Sequence, residues 1–347
     1  MEEKIRLGHP FYFPTQTVLV DDDPDFLDGI SLMLNKQLSY RLFQSASDAL
    51  KYVNEAHLHC DIVQRCYSSY KTGPFDSDSI THIDIGKLHH EVLNASRFMT
   101  CSTLIVDYSM PQMNGLEMLM NLKNPYIRKV LLTGQADMEL AVKAFNHQLI
   151  DQFIDKHDPR LKQKLNATIS SFEEQYFRRS FKLITDPIMA NNVDAFLISA
   201  EFQKYFDELR RELRAVEYYL IDAPHSGFLL MDAEGQRHCL LVYTRQALDE
   251  HCHELMEAGA ADSIIGDVRA GNLVPAFNTV GNSLSPKHPA LAHPSAFYRK
   301  ADKVCSASHT YFVAVTGAES LTFLQDKLIV PYGNFLESNA LSQYIIH

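Results

Sequence analysis

A chain of 347 residues is long enough for two domains that each bury a core. A hydrophobic fraction of 46% against 22% charged residues excludes the disordered and fibrous classes. No run approaches the roughly 18 apolar residues of a membrane span, so no membrane partner is expected. Six cysteines without a C-x-x-C pair read as reduced thiols. The N-terminus carries Glu2 and Glu3 at once, and Pro10 and Pro14 interrupt its apolar stretch, unlike a signal peptide. A cytoplasmic location is the resulting expectation. The net charge of −11 is uneven: residues 1–180 hold 19 Lys+Arg against 23 Asp+Glu, and residues 181–347 hold 13 against 20. The more acidic second half argues against direct DNA binding by phosphate neutralisation, though a small basic recognition helix would escape this test.

In chain order, Thr17–Val20 reads as a short apolar strand running into three aspartates. Asp23-Pro24 then opens a helix, with Asp as cap and Pro at its first position. Phe26, Ile30, Met33 and Leu34 give that helix a buried stripe. Tyr40–Phe43 is the next strand and Ser47 to Glu55 the next helix. Cys101–Val106 is a strand ending at Asp107, and Gly115 opens a helix facing Leu116, Leu119 and Met120 inward. Arg128–Leu132 is a strand ending at Thr133-Gly134, Asp137–His147 is helical, and Asp151–Ile154 is a fifth strand ending near Lys156. This alternation predicts an α/β domain with a doubly wound five-stranded parallel sheet, whose ligands sit at the carboxyl ends of the strands.

Between Asp22 and Asp107 lie 84 residues, where a helix, a strand and a helix need about 45. An insertion of roughly 40 residues, about 57–99, is therefore expected, with Ile83–Phe98 helical. The last helix runs on past the domain, with Leu161, Leu165, Ile169, Phe172 and Tyr176 as an apolar stripe free to dock a second domain or a second copy. From Leu183 the pattern changes. Phe202, Phe206, Leu209 and Leu213 mark an amphipathic helix, and Val216–Ile221, Phe228–Met231 and Cys239–Tyr243 are strands, the last two joined by a turn at Asp232–Gly235. Arg245–Ala258 and Asp262–Ala270 read as helices and Ser283–Ser295 as a loop. Tyr311–Val315 is a strand, and Ser320–Ile329 and Asn334–Tyr344 read as helices. The expected layout is an N-terminal tail (1–15), an α/β domain (16–158), a long linking helix (159–182) and a second, α+β domain with antiparallel strands (183–347).

The polar residues of the first domain collect at its strand ends. Asp21, Asp22 and Asp107 could gather hard oxygen ligands for Mg²⁺, Thr133 a hydroxyl donor, and Lys156 an ammonium. Phosphorylation of a carboxylate needs these parts: a divalent cation to screen two anions, and donors for the phosphoryl oxygens. Taken singly, an aspartate run before a helix is a capping cluster, a Thr-Gly pair a turn, and a lysine after a strand a solvated charge. Acid, acid, hydroxyl and amine at four successive strand ends are improbable as coincidence.

These residues resemble the receiver domains of bacterial two-component response regulators. V-L-V-D-D-D-P-D-F-L (18–27) resembles the family's acidic turn, and L-I-V-D-Y-S-M-P-Q-M-N-G (104–115) its phosphorylation motif. L-L-T-G-Q-A (131–136) and F-I-D-K (153–156) match the other two. The resemblance implies that Asp107 accepts a phosphoryl group from a sensor histidine kinase. Asp22 would bind Mg²⁺ directly, Asp21 through water, and the Ser109 carbonyl would complete the protein ligands. Thr133 and Lys156 would bind the phosphoryl group, and Phe153 would be the aromatic switch. Asp23 is left as a helix cap. The family usually follows its lysine with proline, where this chain has His157, which puts the shape of that loop in question. The layout of inserted receiver, long helix and acidic α+β domain is similar to response regulators of bacterial α-hydroxyketone quorum-sensing systems, a likeness of arrangement rather than of motif.

The resemblance implies no enzyme beyond a receiver assisting its own phosphorylation and dephosphorylation. Its expected partners are the kinase and, on phosphorylation, a second copy. The output domain reads as a protein-binding or dimerisation module, with a DNA-binding transcriptional regulator or a ligand- or nucleotide-binding domain as alternatives. Histidines 57, 59, 89 and 90 lack zinc spacing near Cys60 and Cys66, and Glu250, His253 and Glu257 read as a solvated helix face.

Overall fold

The computed structural model describes residues 8–60, 62, 65, 67–71, 79–83, 85–134, 138–191, 195–221, 226–277, 284–306, 309–318, 321, 324 and 327–340. The chain forms two compact units, and neither is a contiguous half. One comprises residues 13–65, 94–182 and 332–347; the other comprises 1–12, 66–93 and 183–331. The expected tail therefore does not stay free: Phe11–Tyr12 forms β1, an edge strand of the second unit's sheet.

In the first unit, β2 (Gln16–Val20) is fully buried and leads through Asp21 and Asp22 into α1 (Pro24–Met33). Asp23 caps α1, its side chain accepting from the Asp25 and Phe26 amides. This is the cap expected from Asp-Pro, and it satisfies donors that a helix start leaves without partners. β3 (Ser39–Phe43) and α2 (Ala46–Cys60) follow. The insertion then supplies the hairpin β4 (Tyr67–Lys71) and β5 (Ser79–Ile83), which belongs to the second unit, and α3 (Ile85–His90). One helix over 83–98 was expected. Instead α3 gives way to two single 3-10 turns, Glu91–Leu93 and Arg97–Met99. The Asn94 side chain accepts from the Ser96 amide (3.1 Å), a local turn that competes with helix.

β6 (Cys101–Asp107), α4 (Gly115–Met120), β7 (Arg128–Thr133), α5 (Met138–Asn146) and β8 (Gln152–Asp155) complete the sheet. It is five-stranded and parallel, in the order β3-β2-β6-β7-β8. The order reverses between β2 and β6, so a crevice opens at their carboxyl ends. α6 (Leu161–Asn191) starts on this unit and runs on beyond it. Its apolar stripe does not await a partner. Leu161, Leu165, Ile169 and Phe172 are buried in one core with Leu19, Ile30, Ile105, Val130 and Ile154, and Tyr176 is buried as well. The sheet face needed that length of helix to be covered, which is what the sequence pattern alone could not gauge.

The unit is closed by the far end of the chain. In α12 (Tyr332–Ala340), the Tyr332 hydroxyl accepts from the Ser39 amide (3.1 Å) and donates to the Gln37 carbonyl (2.7 Å). Phe98 packs against Tyr332 and Phe335 with centroids 5.1 and 5.2 Å away.

The second unit is α+β. α7 (Ala200–Glu212) lies on a six-stranded antiparallel sheet of β1, β9 (Ala215–Ile221), β10 (Gly227–Asp232), β11 (Arg237–Tyr243), β15 (Thr310–Gly317) and β14 (Asp302–Cys305), in that order. Phe196, Phe202, Phe206, Tyr218, Phe228 and Tyr311 form its aromatic core. The β10–β11 turn is the expected one, with Gly235 at φ 91° and the Asp232 side chain accepting from the Glu234 and Gln236 amides. α8 (Arg245–Glu257) and α9 (Asp262–Ala270) follow, then the short pair β12 (Leu273–Pro275) and β13 (Tyr298–Lys300). The stretch expected as a loop carries two four-residue helices, α10 (Pro289–Ala292) and α11 (Pro294–Phe297), each started by proline. Half of the expected helix 320–329 and residues 341–344 of the last one lie outside the described residues, and the described residues 327–329 are not helical.

Tyr332→Phe removes the acceptor for the Ser39 amide. Thermal unfolding is expected to show a loss of about 1–3 kcal/mol, the cost of a buried donor left unpaired, together with faster hydrogen exchange at Ser39.

Candidate phosphoacceptor site

The site is built where neighbouring strand ends are tied together by three backbone hydrogen bonds. Asp21 N–H donates to the Phe43 carbonyl (3.0 Å), Tyr108 N–H to Leu132 (3.1 Å), and Lys156 N–H to Thr133 (3.0 Å). Asp21 and Asp107 each continue a paired position, because Val20 is opposite Val106 in the β2–β6 register. That register brings Asp21, Asp22 and Asp107 into one group, with a carboxylate oxygen of each within 4.8 Å of the others. Asp21 and Asp107 are 1% and 5% exposed. Asp22 is exposed.

Lys156 joins them from the end of β8. Its Nζ is 2.7 Å from Asp21 Oδ2 and 2.8 Å from Asp107 Oδ1. The Ser109 amide donates to Asp107 Oδ2 at 3.0 Å, so each oxygen of Asp107 has a partner. Burial is the largest influence on Asp21 and lifts its pKa to about 6, against the pull of Lys156 and the Asp23 amide; Asp107 adds a further upward push. Burial acts to lower the Lys156 pKa, but the bonds to Asp107 and Asp21 outweigh it and hold the ammonium more basic than a free lysine. The lysine is therefore charged and bridges two acids that would otherwise repel.

The remaining predicted residues are all near strand ends, with different present engagements. Thr133 is buried at the end of β7, and its hydroxyl donates to the Gly134 carbonyl (2.9 Å). Phe153 is half-buried with its ring edge-on to Phe145 at 6.2 Å. His157 follows the lysine without disturbing it, because its amide donates to Asp155 Oδ1 (2.9 Å) and closes a local turn. The Ser109 amide donates to Asp107 Oδ2, a bond that leaves its carbonyl, the group expected as a ligand, to a separate role. Asp21 Oδ2 is buried and has only the ammonium's ion-pair contact, with no hydrogen bond of regular geometry. A buried, incompletely satisfied oxygen beside two more carboxylates is a hard donor set that fits Mg²⁺. It is the one cluster of three or more potential ligands among the described residues.

Two further residues complete the setting. Gly115, at the start of α4, leaves no room for a side chain: a Cβ there would lie 2.2 Å from the Asp107 carbonyl oxygen. Asn114 caps this helix through the Glu117 amide (2.9 Å), which holds the loop after Asp107 in place. Phe26 places its ring 4.6 Å from Lys156 Nζ; the sequence pattern marked it only as a core position. On α8, the buried histidine is His251 rather than the exposed His253. It bonds Glu254 (3.1 Å) and Tyr298 (3.0 Å), and burial lowers its pKa while Glu254 opposes the shift.

Over its whole length the chain is similar to the response regulator LqsR of Legionella pneumophila: 28% identical, covering 99% of this chain and 100% of that one, with a TM-score of 0.74. The fold is that of a response regulator. Receiver domains match part of it, among them one from Clostridium thermocellum (15% identical, 49% of this chain and 98% of that one, TM-score 0.31). A CheY-like receiver from Methanospirillum hungatei also matches (18% identical, 48% and 98%, TM-score 0.32). No protein-family model matches the sequence, and no curated protein does. In this fold the site occupies the crevice that opens between β2 and β6.

Because the pKa of Asp21 is raised when folded, its contribution to stability is full below about pH 4 and is lost as pH rises through about 6. Asp21→Asn is therefore expected to stabilise the protein by about 1–3 kcal/mol at pH 8, with the gain shrinking towards pH 4 in denaturant unfolding. Gly115→Ala is expected to cost about 1–3 kcal/mol through overpacking against the Asp107 backbone, read in the same experiment.

Proposed function

We propose that this chain is a response regulator that accepts a phosphoryl group on Asp107 from a sensor histidine kinase. The observation that carries the proposal is the environment of Asp107: a buried carboxylate at a strand end, with Lys156 on one oxygen, the Ser109 amide on the other, and Asp21 and Asp22 beside it. One Asp107 oxygen forms the new P–O bond as the P–N bond to the donor imidazole breaks. Asp21, Asp22, Asp107 and the Ser109 carbonyl would hold Mg²⁺. The ion supplies charge screening between the phosphoryl group and these acids. As the phosphoryl group arrives, Lys156 shifts from bridging two carboxylates to pairing with a phosphoryl oxygen. Thr133 rotates its hydroxyl from the Gly134 carbonyl to another.

Phe153 is the switch in this reading. Inward movement of Thr133 frees space at the end of β7, and the ring leaves its edge-on contact with Phe145 to follow. On and just after α5, which brings Phe145 to this ring, Leu140, Val142, Phe145 and Leu149 are 40%, 41%, 47% and 37% exposed, apolar side chains that a movement of the ring would affect through Phe145. The second unit then signals through protein contacts or dimerisation, within the cytoplasm. A place in quorum sensing is supported by the layout of the chain. The receiver has no turnover beyond its own phosphorylation and dephosphorylation.

Intact-mass analysis after acetyl phosphate and Mg²⁺ tests this reading. The wild type is expected to gain one labile phosphoryl group and Asp107→Asn none, and chelation of the metal is expected to abolish labelling. Equal labelling of the two proteins would sink it.

A further inference from the structure

Phe26 closes a circuit around the site. The Asp23 amide donates to Asp21 Oδ1 (3.1 Å), and the Asp23 carboxylate accepts from the Asp25 and Phe26 amides (3.0 and 3.2 Å). These bonds fix the first turn of α1 relative to Asp21. The ring of Phe26, half-buried against the core of Leu27 and Ile30, then has Lys156 Nζ 4.6 Å from its centroid. The same nitrogen lies 2.7 Å from Asp21 and 2.8 Å from Asp107. An ammonium has three donors. Two carboxylates take two sides of it, and the ring covers a further side that water would otherwise occupy. The lysine side chain is 19% exposed, so the attraction between cation and ring face acts with limited screening.

We propose that Phe26 is a positioning residue for Lys156, holding its ammonium at the junction of Asp21 and Asp107 so that the charge is in place when a phosphoryl group reaches Asp107. This rests on the phosphoacceptor reading and adds to it a residue outside the acids, the hydroxyl and the amine. An aliphatic side chain of similar volume fills the same space but offers no negative ring face. The ammonium then loses one of its three restraints and spends more time away from the acids.

The test uses the full chain with Mg²⁺ and acetyl phosphate, following the rate of Asp107 labelling by intact mass in wild type, Phe26→Leu and Phe26→Tyr. Labelling of Phe26→Leu is expected to be about two- to five-fold slower, the range a cation–π contact of this exposure supports. Phe26→Tyr, which keeps the ring, is expected to match the wild type. The ε-methylene protons of Lys156 are expected to move downfield in Phe26→Leu, as the ring current is lost, and to stay in place in Phe26→Tyr. Phe26→Met, also without a ring, replaces the leucine arm if that variant fails to fold. Equal rates in wild type and the leucine variant, or a tyrosine variant as slow as leucine, overturn the role of Phe26 and leave the phosphoacceptor standing. A wild type that takes up no phosphoryl group overturns the phosphoacceptor reading and this inference with it.

Discussion

Two carboxylates, Asp21 and Asp107, stand side by side at the dry ends of adjacent central strands, and one ammonium holds them there. Withdrawing a charge from water costs several kcal/mol even after relaxation, and two like charges in proximity add to that cost. The rise in the Asp21 pKa registers the penalty, and the raised basicity of Lys156 registers the compensation. Much of the first unit's construction serves this balance. The β2–β6 adjacency creates the pair of acids, and β8, at the sheet edge, delivers the lysine. The bond from the Lys156 amide to the Thr133 carbonyl fixes where that delivery ends. Gly115 and the Asn114 cap keep the loop after Asp107 tight against the strand end.

Such a balance suits a switch. A cation and a phosphoryl group would compete with the lysine for the same oxygens, so one set of side chains can satisfy two occupancies. The residues that would change partner are those with an alternative at hand. Thr133 spends its hydroxyl on a neighbouring carbonyl, and Phe153 leans edge-on against a half-exposed ring. Both engagements are weak, and loss of either costs little compared with a bond to a charged oxygen.

The composition of the two units adds a constraint on folding. Ser39 and Tyr332 are 293 positions apart, yet the tyrosine hydroxyl satisfies the first amide of β3 and Phe98 packs beneath it. β1, near the other end of the chain, completes the second unit's sheet. Neither unit can finish from a contiguous piece of sequence. Contacts of such separation carry a large loop-closure entropy and are the slow ones to form. A receiver cut out at residues 16–158 would lack α12 and the whole of α6, the helix that covers one face of its sheet.

The receiver sheet, its helices and the acid, hydroxyl and amine set were legible in the sequence because each is a local signal. Strand ends declare themselves by an apolar run meeting a charge, the start of α1 by the capping chemistry of Asp23-Pro24, and Asp232–Gly235 by turn chemistry. The stripe on α6 was visible too, but a stripe gives the direction of an apolar face and not what covers it. Only the packed structure assigned it to the receiver's own core. The same holds for Phe26, which any helix pattern marks as core and only the neighbouring strand turns into a contact for Lys156. The exchange of terminal segments had no sequence signal, since pairing between β1 and β9 depends on where two distant backbones meet. By itself the sequence determined the chemistry available at each strand end; tertiary structure decided which groups share their charge, because electrostatic and packing energies depend on distance in space and not along the chain.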